Sequence, residues 1–576
     1  MPDRGDIEAT GPSPAGSSAA PGPSSSGPSA PGGSPRPESP SLAPEAGSSV
    51  RAVVGRAALV IVAATLVGRA LGLVRDMVVA YLFGAQAQTD AFFLAYRIPY
   101  LLTLMVSGAL TATFVPLFSY RLATGRKEEA WKLSVNMGNI ICLVLVVVTV
   151  ILIIVAPWLI PLVGFGFPEA TADKAVFLFR ILMLGFVFEG LTGLLTGMLN
   201  SLRRFALAAF SPAFGALATL AVTVALARPL NITALAIGTV VGSVVELAVL
   251  FLGLRDQGIS YQPRIDWRDP GIREVSGMVW PILLGSAVGK ISIFADQVLG
   301  SMLEEGSISS LNYAEKLFQV PLGLFVAGIT VPIFPLLSEQ VAARAPERVR
   351  ATLDFALRLM GFLLVPGTVA MIVLRYPLIG LLLQHGEFTA EDTTRTAWAV
   401  LFLCLGLYAY AGRDTLTRVF YAYHDTRTPV KISAATVALN VGLSYLFMQY
   451  LGVGGLALGT TVALSVNFVV LVGLLKRKMG MIGLRSSAVS LLRVSGVSAV
   501  MGVIIWAVDL GLAHSLGNTT GANALRVVGG ILVGGVAFIL LARLVRIREL
   551  AEAIDMLRAV FKRSSGRRNL LNGVSK

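Results

Sequence analysis

GRALGLVRDMVVAYLFGAQAQTDAFFLAYRIP, residues 68–99, decides how the chain is read. With the apolar run before it, its first part has the length and hydrophobicity of a membrane-spanning helix. Yet Arg69, Arg75 and Asp76 sit inside that run, and Asp90 and Arg97 open the next one. A charged side chain near the bilayer centre costs about 2.5–3.5 kcal/mol on insertion scales. An ideal helix places Arg69 and Arg75 about 120° apart on one broad side. That side is not expected to face lipid. Its charges are expected to line a water-filled space inside a helix bundle, with the rest of the chain as walls.

Composition agrees. The 576 residues are 55% hydrophobic and 14% charged, with a mean hydropathy of +0.75. Soluble domains carry about 25% charged residues, so this composition is that of an integral membrane protein with many spans. The formal charge of +14 is read as the basic residues of cytoplasmic loops rather than as a nucleic-acid surface, and no nucleic-acid partner is expected. Cys142 and Cys404 both lie in apolar runs, without disulfide or zinc spacing.

Residues 1–50 are dominated by Pro, Ser, Gly and Ala without apolar periodicity, and are expected to be a disordered cytoplasmic tail. A long polar tract ahead of the first apolar run does not read as a signal peptide. From residue 57 the hydropathy alternates regularly. Helices are expected near 57–82, 91–119, 133–160, 173–199, 206–227, 232–254, 273–303, 309–338, 350–374, 394–421, 430–450, 454–475, 489–511 and 523–545. The expected fold class is therefore all-α and polytopic, with about fourteen transmembrane helices. One set of loops is basic: Arg121 to Lys132, Arg203–Arg204, Arg255 to Arg273, Arg344 to Arg350, Arg427–Lys431 and Lys476 to Arg485. The positive-inside rule places those loops, and both termini, in the cytoplasm. The basic tail from 546 to 576 agrees, and its cluster of charges suits anionic membrane lipid.

A weak internal repeat is present. Asp76, Pro99 and FVPLFS (114–119) recur as Asp296, Pro321 and IFPLLS (333–338). LNSLRRFALAAFSP and FYAYHDTRTP close corresponding spans. The pattern implies two pseudo-symmetric six-helix lobes, 57–254 and 273–475, with two helices (489–545) added; repeats of this kind place the substrate at the lobe interface. The second lobe carries Lys290 and Asp296 on the seventh span, and Glu315 and Lys316 on the eighth. Arg180, Glu189, Glu246, Arg413, Asp414 and Arg418 are further charges within apolar runs, where structural ion pairs or snorkelling account for many such residues. Arg69, Arg75, Asp76 and Lys316 fall on the helices around the interface, where the net sign is expected to be positive. A positive cavity suits an anion, and the Arg fork suits phosphate. No phosphate loop and no acidic metal cluster is visible, so neither an ATPase nor a transferase is expected. The Gly-rich runs at 454–461 and 527–535 are read as close helix packing.

GRALGLVRD, FGAQAQTDAFFLAYRIPYLL, ATFVPLFS, LNSLRRFALAAFSPA, NYAEKLFQVPLG, LLQHGEFTAEDT and FYAYHDTRTPVKI together resemble the MurJ (MviN) family of lipid II flippases, within the multidrug/oligosaccharidyl-lipid/polysaccharide exporter superfamily. The resemblance covers roughly residues 57–545. It implies a non-enzymatic transporter of the bacterial cytoplasmic membrane, serving peptidoglycan biosynthesis. Such a transporter moves the undecaprenyl-pyrophosphate-linked precursor, lipid II, from the inner to the outer leaflet. It implies two lobes rocking around a cationic cavity, a polyprenyl-tail groove on 489–545, and cell-wall synthesis proteins as partners. Family positions for substrate map to Arg69, Arg75, Asp76, Asp90 and Lys316, the last usually an arginine. Glu315 neighbours them. Near the end of the second span the family carries an Arg-Arg pair and a Glu; this chain has LLTLMVSGAL (101–110), with Thr103 and Ser107 near those places, and Arg97 is expected to substitute. Some members bind sodium in the second lobe, at positions matching Asp296, Asn440, Ser444 and Thr460, with Ser444 where a second carboxylate stands elsewhere. No cofactor is expected; the drive is expected from sodium or a proton at Asp296 and from the membrane potential, worth about 2.3 kcal/mol per charge per 100 mV. The alternatives are a flippase for another polyprenyl-linked oligosaccharide or a drug antiporter of the same fold, against which Arg69 and Arg75 count, and a non-transporting envelope-assembly scaffold.

Overall fold

The computed structural model describes residues 44–257, 263, 265–288, 290–480, 484–517 and 519–555. The tail expectation for residues 1–43 and for 556–576 lies outside the described residues. Backbone contacts divide the chain at residues 56/57. Of the first unit, 44–56 are described and helical; the second unit, from Ala57, holds everything that follows.

Long apolar runs separated by Gly, Pro and charge give helices, and no strand occurs among the described residues. The first-lobe helices are α1 (Pro44–Phe83), α2 (Ala87–Ala123), α3 (Lys127–Val163), α4 (Glu169–Ser201), α5 (Phe205–Leu230) and α6 (Thr233–Leu252). Then come α7 (Pro270–Val288), α8 (Ile291–Ser301), α9 (Ser307–Pro321), α10 (Ala327–Ala342), α11 (Pro346–Val373), α12 (Arg375–Leu382), α13 (Ala390–Leu405), α14 (Leu407–Ala422), α15 (Arg427–Leu451) and α16 (Val453–Met479). The last two are α17 (Leu484–Leu516) and α18 (Thr520–Leu544). Among the described residues ten single helices are long and apolar enough to cross a membrane, or eleven with the bent pair α13–α14. Each expected span coincides with a helix or a broken helix. The first helix starts at Pro44, inside the stretch expected to be tail.

Three spans read as continuous are broken. The seventh divides into α7 and α8 around Lys290. The eighth divides into α9 and α10 through a π turn at Leu322–Val326. Pro321 lies just before it; proline removes a donor and crowds the preceding turn, which a wider turn relieves. The tenth bends by 43° at Gly406. There Thr461 Oγ1, from α16, donates to the Phe402 carbonyl at 2.7 Å, so a side chain of a neighbouring helix satisfies backbone at the bend.

Packing follows the lobes. One apolar cluster joins α2–α6 through Phe114, Phe118, Phe179 and Phe186, and Ile272 and Val275 of α7 are buried in it too. A second joins the end of α1 (Ala80) to α9, α13 and α14 through Tyr313, Phe318 and Leu403. The end of α1 thus packs on both, since Val79 belongs to the first cluster. The expected close packing at the Gly-rich runs is found. A Cβ on Gly459 would stand 2.6 Å from the Ser444 backbone nitrogen, and one on Gly534 would stand 2.5 Å from Ile505 Cδ1.

Candidate functional site

The middle of the interface gathers charge from both lobes. Asp76, buried on α1, accepts from Arg75 Nε at 3.1 Å and Nη2 at 2.8 Å. Lys316, exposed on α9, lies within electrostatic reach of Asp76, Arg75, Glu315 and Arg97. The Arg69 guanidinium rests against Gly323, on the π turn of the opposite lobe, where a Cβ would collide with it. Arg75, Glu189 and Glu315 are half-buried, and Glu189 lies within electrostatic reach of Arg75. Their accessible surface fits the water-filled hollow expected inside the bundle.

Arg97 is engaged. Its Nη2 donates to Glu315 Oε2 at 3.0 Å. With the Gln297 amide oriented oxygen-first, Nη2 and Nε also donate to Gln297 at 3.1 and 3.2 Å. Arg97 therefore joins α2 of the first lobe to α8 and α9 of the second. Glu189, from α4, accepts from Thr103 Oγ1 at 3.1 Å and lies within electrostatic reach of Arg75. Counted formally, these residues comprise four cations (Arg69, Arg75, Arg97, Lys316) and four carboxylates (Asp76, Glu189, Glu315, Asp296). Arg69, Arg75, Asp76 and Lys316, the four singled out from the sequence, sum to a formal +2, and Arg97 with Glu189, Glu315 and Asp296 brings the eight to zero.

Asp90 lies apart from the hollow. It is buried at the start of α2 and accepts from Gly306 N and Ser309 N, both at 2.7 Å, and from Ser309 Oγ. It caps α9 from the other lobe. Gly306 has φ of 85°, and a Cβ there would stand 2.1 Å from the Ala85 carbonyl, so glycine alone fits. Around this cap, Glu387 N donates to the Tyr81 carbonyl at 3.0 Å and Gly166 N donates to Ser301 Oγ at 3.3 Å, both between lobes, while within the second lobe Arg395 Nη1 donates to the Glu305 carbonyl at 2.8 Å. The lobes are thus joined at the end remote from the basic loops.

Of the sodium candidates, Asn440 Nδ2 donates to Thr460 Oγ1 at 2.9 Å, and Ser292 Oγ donates to Asn440 Oδ1 at 3.0 Å. Ser444 Oγ reaches the Leu456 carbonyl at 3.4 Å. Asp296, one turn beyond Ser292, is buried, and its Oδ1 has no hydrogen-bond partner among the described residues. It lies within electrostatic reach of Arg97 and Glu315. An unpaired buried carboxylate oxygen, on the helix whose Ser292 reaches Asn440, has the oxygen chemistry that a hard cation takes. Among the described residues no group of three or more His, Cys, Asp or Glu forms a metal cluster. Sequence reasoning did not single out Gln297 and Ser292. Only their spacing from Asp296, one residue and one turn, signalled them.

The chain matches the family model described as "Lipid II flippase MurJ" over residues 79–520. It is 30% identical over 521 residues to the probable lipid II flippase MurJ of Vibrio cholerae, covering 87% of this chain and 98% of that protein. It is 31% identical over 433 residues to the lipid II flippase MurJ of Burkholderia cenocepacia, covering 73% and 84%. Among solved structures it superposes on a lipid II flippase MurJ in an inward closed conformation with a TM-score of 0.71 at 25% identity, covering 84% and 99%. An inward-facing multidrug resistance MATE transporter of the MOP superfamily shares the fold, with a TM-score of 0.62 at 15% identity over 71% and 94%. The many apolar helices and these matches make it a multi-pass inner-membrane transporter, and the chain belongs to the MurJ family of lipid II flippases.

Proposed function

We propose that this chain carries lipid II from the inner to the outer leaflet, with the pyrophosphate held by Arg75, Lys316 and Arg69 in the hollow between the lobes. The observation that carries the reading is that first-lobe cations reach the second lobe inside the helix bundle: the Arg69 guanidinium rests against Gly323 and Arg97 binds Glu315, the neighbour of the exposed Lys316. The basic loops orient that hollow: by the positive-inside rule they and both termini are cytoplasmic. The end closed by Asp90, Gly306 and Ser309 then faces outward, and the lobes are poised to receive headgroup from within. The polyprenyl tail stays in the bilayer along α17 and α18, whose outward faces expose Val503, Trp506 and Leu532. Arg97 serves as a strut between lobes, held by Glu315 and Gln297, rather than as a free phosphate ligand. A sodium ion or a proton at Asp296 sits where Arg97 would feel it. An inside-negative potential favours outward movement of an anion, by about 2.3 kcal/mol per charge per 100 mV.

Complementation tests the reading. Cells depleted of their own lipid II flippase should survive on this chain and die on Arg75→Ala at equal membrane insertion. Failure of the wild-type chain would refute it. Transport assayed in sodium-free buffer separates the two coupling ions.

A further inference from the structure

Arg75 is covered on one side only: Nε and Nη2 donate to Asp76, and Nη1 donates to nothing among the described residues. Glu189 is likewise half used. Its Oε2 accepts from Thr103, and its Oε1 accepts nothing among the described residues, although the residue is half-buried and accessible. Its backbone is fixed nearby. A Cβ on Gly193 would stand 2.8 Å from Ser107 Cβ and 2.9 Å from Ser107 Cα, so α2 and α4 touch one turn further on. Behind it, Glu246 of α6 lies within electrostatic reach of Glu189 and against Gly215 of α5.

An ionised carboxylate only accepts hydrogen bonds, and so does a pyrophosphate. When ionised, Glu189 therefore repels the group that Arg75 attracts. What an open carboxylate oxygen recognises is a donor: a hydroxyl, an amide N–H or an ammonium. The hollow thus has two chemistries side by side, cationic on α1 and α9 and carboxylate on α4. A matching ligand carries an anion next to hydrogen-bond donors.

We propose that Glu189 is a specificity-determining residue that accepts hydrogen bonds from the sugar or peptide part of the headgroup while Arg75 and Lys316 hold its pyrophosphate, so that glycosylated polyprenyl pyrophosphate is selected over the bare lipid. This rests on the flippase reading and deepens it. A bare polyprenyl pyrophosphate lacks the donors and meets the repulsion of Glu189 uncompensated. Transport of the spent carrier in place of the loaded one is thereby disfavoured.

The test uses the full chain in lipid nanodiscs and two probes: a polyprenyl pyrophosphate, and the same lipid bearing an N-acetylated disaccharide with its peptide. Binding is read by native mass spectrometry. The wild type should prefer the glycosylated probe by about tenfold or more, the scale of one hydrogen bond to a charged group. Glu189→Leu should lose most of that preference and bind the bare lipid several-fold more tightly, while Glu189→Asp retains part of the preference. Glu189→Gln, nearly isosteric, should also bind the bare lipid more tightly, which keeps the test open should the leucine variant fold poorly. Unchanged preference and unchanged bare-lipid affinity in the folded variants would overturn the proposal. A wild type that binds neither probe would instead sink the flippase reading, a distinct result.

Discussion

Removing Asp90 should open the end of the molecule that it closes. Its carboxylate receives Gly306 N and Ser309 N at 2.7 Å, and the Ser309 hydroxyl, all from the opposite lobe. A hydrogen bond to a charged group contributes about 1.5–3 kcal/mol, and an N-cap about 0.5–2 kcal/mol. The three bonds share one acceptor group and are not additive, so about 3 kcal/mol is a fair net loss for Asp90→Ala. That is a shift of about 150-fold in the balance between closed and open outer ends. Asp90→Asn keeps one acceptor and should shift it by about tenfold. Spin labels at Gln88 and Thr394, both exposed at that end on opposite lobes, report the separation by double electron–electron resonance. The wild type should give one short distance; Asp90→Ala should add a longer population, and Asp90→Asn a smaller one. Lower thermal stability with an unchanged distance distribution would make Asp90 a local helix cap and refute the gate.

The Arg97–Glu315 pair, with side chains 13% and 27% exposed, should show a coupling of about 1–3 kcal/mol in a thermal-unfolding double-mutant cycle of Arg97→Met and Glu315→Leu; additive single effects would leave Arg97 without a strut role. Gly459→Ala should cost about 1–3 kcal/mol of stability, because the new methyl meets Ser444 backbone and forces α15 and α16 apart; an unchanged melting temperature would contradict the close approach. At the basic-loop end, Lys478 donates to Asp425 at 2.8 Å, and Thr428 donates to it through backbone and hydroxyl. These bonds, that from Lys478 first, hold the Asp425 carboxyl down at about 2, against an ordinary value of 3.8. Its folded-state value is depressed, so its contribution is present above about pH 4 and is lost as pH falls toward 2. The melting-temperature gap between wild type and Asp425→Asn should accordingly be flat above pH 4 and close below it; a gap that persists at pH 2 would rule the ion pair out as its source.

The sequence by itself determined the membrane class, the helix positions and the presence of an internal polar site. Apolar run length fixes a span, and the cost of burying Arg75 and Asp76 in hydrocarbon excludes a lipid-facing side. Local rules reach that far because they concern neighbours in the chain. The partners of those charges are far apart in sequence: Arg97 and Glu315 by 218 residues, Asp90 and Gly306 by 216, Thr103 and Glu189 by 86. Only the packing of helices onto one another brought them together. It made Asp90 a cap of α9 and tied Arg97 to Glu315 and Gln297. The breaks around Lys290 and Gly406 were hidden for the same reason. At Gly406 the Phe402 carbonyl is satisfied by Thr461 of another helix, a partner that tertiary structure alone supplies.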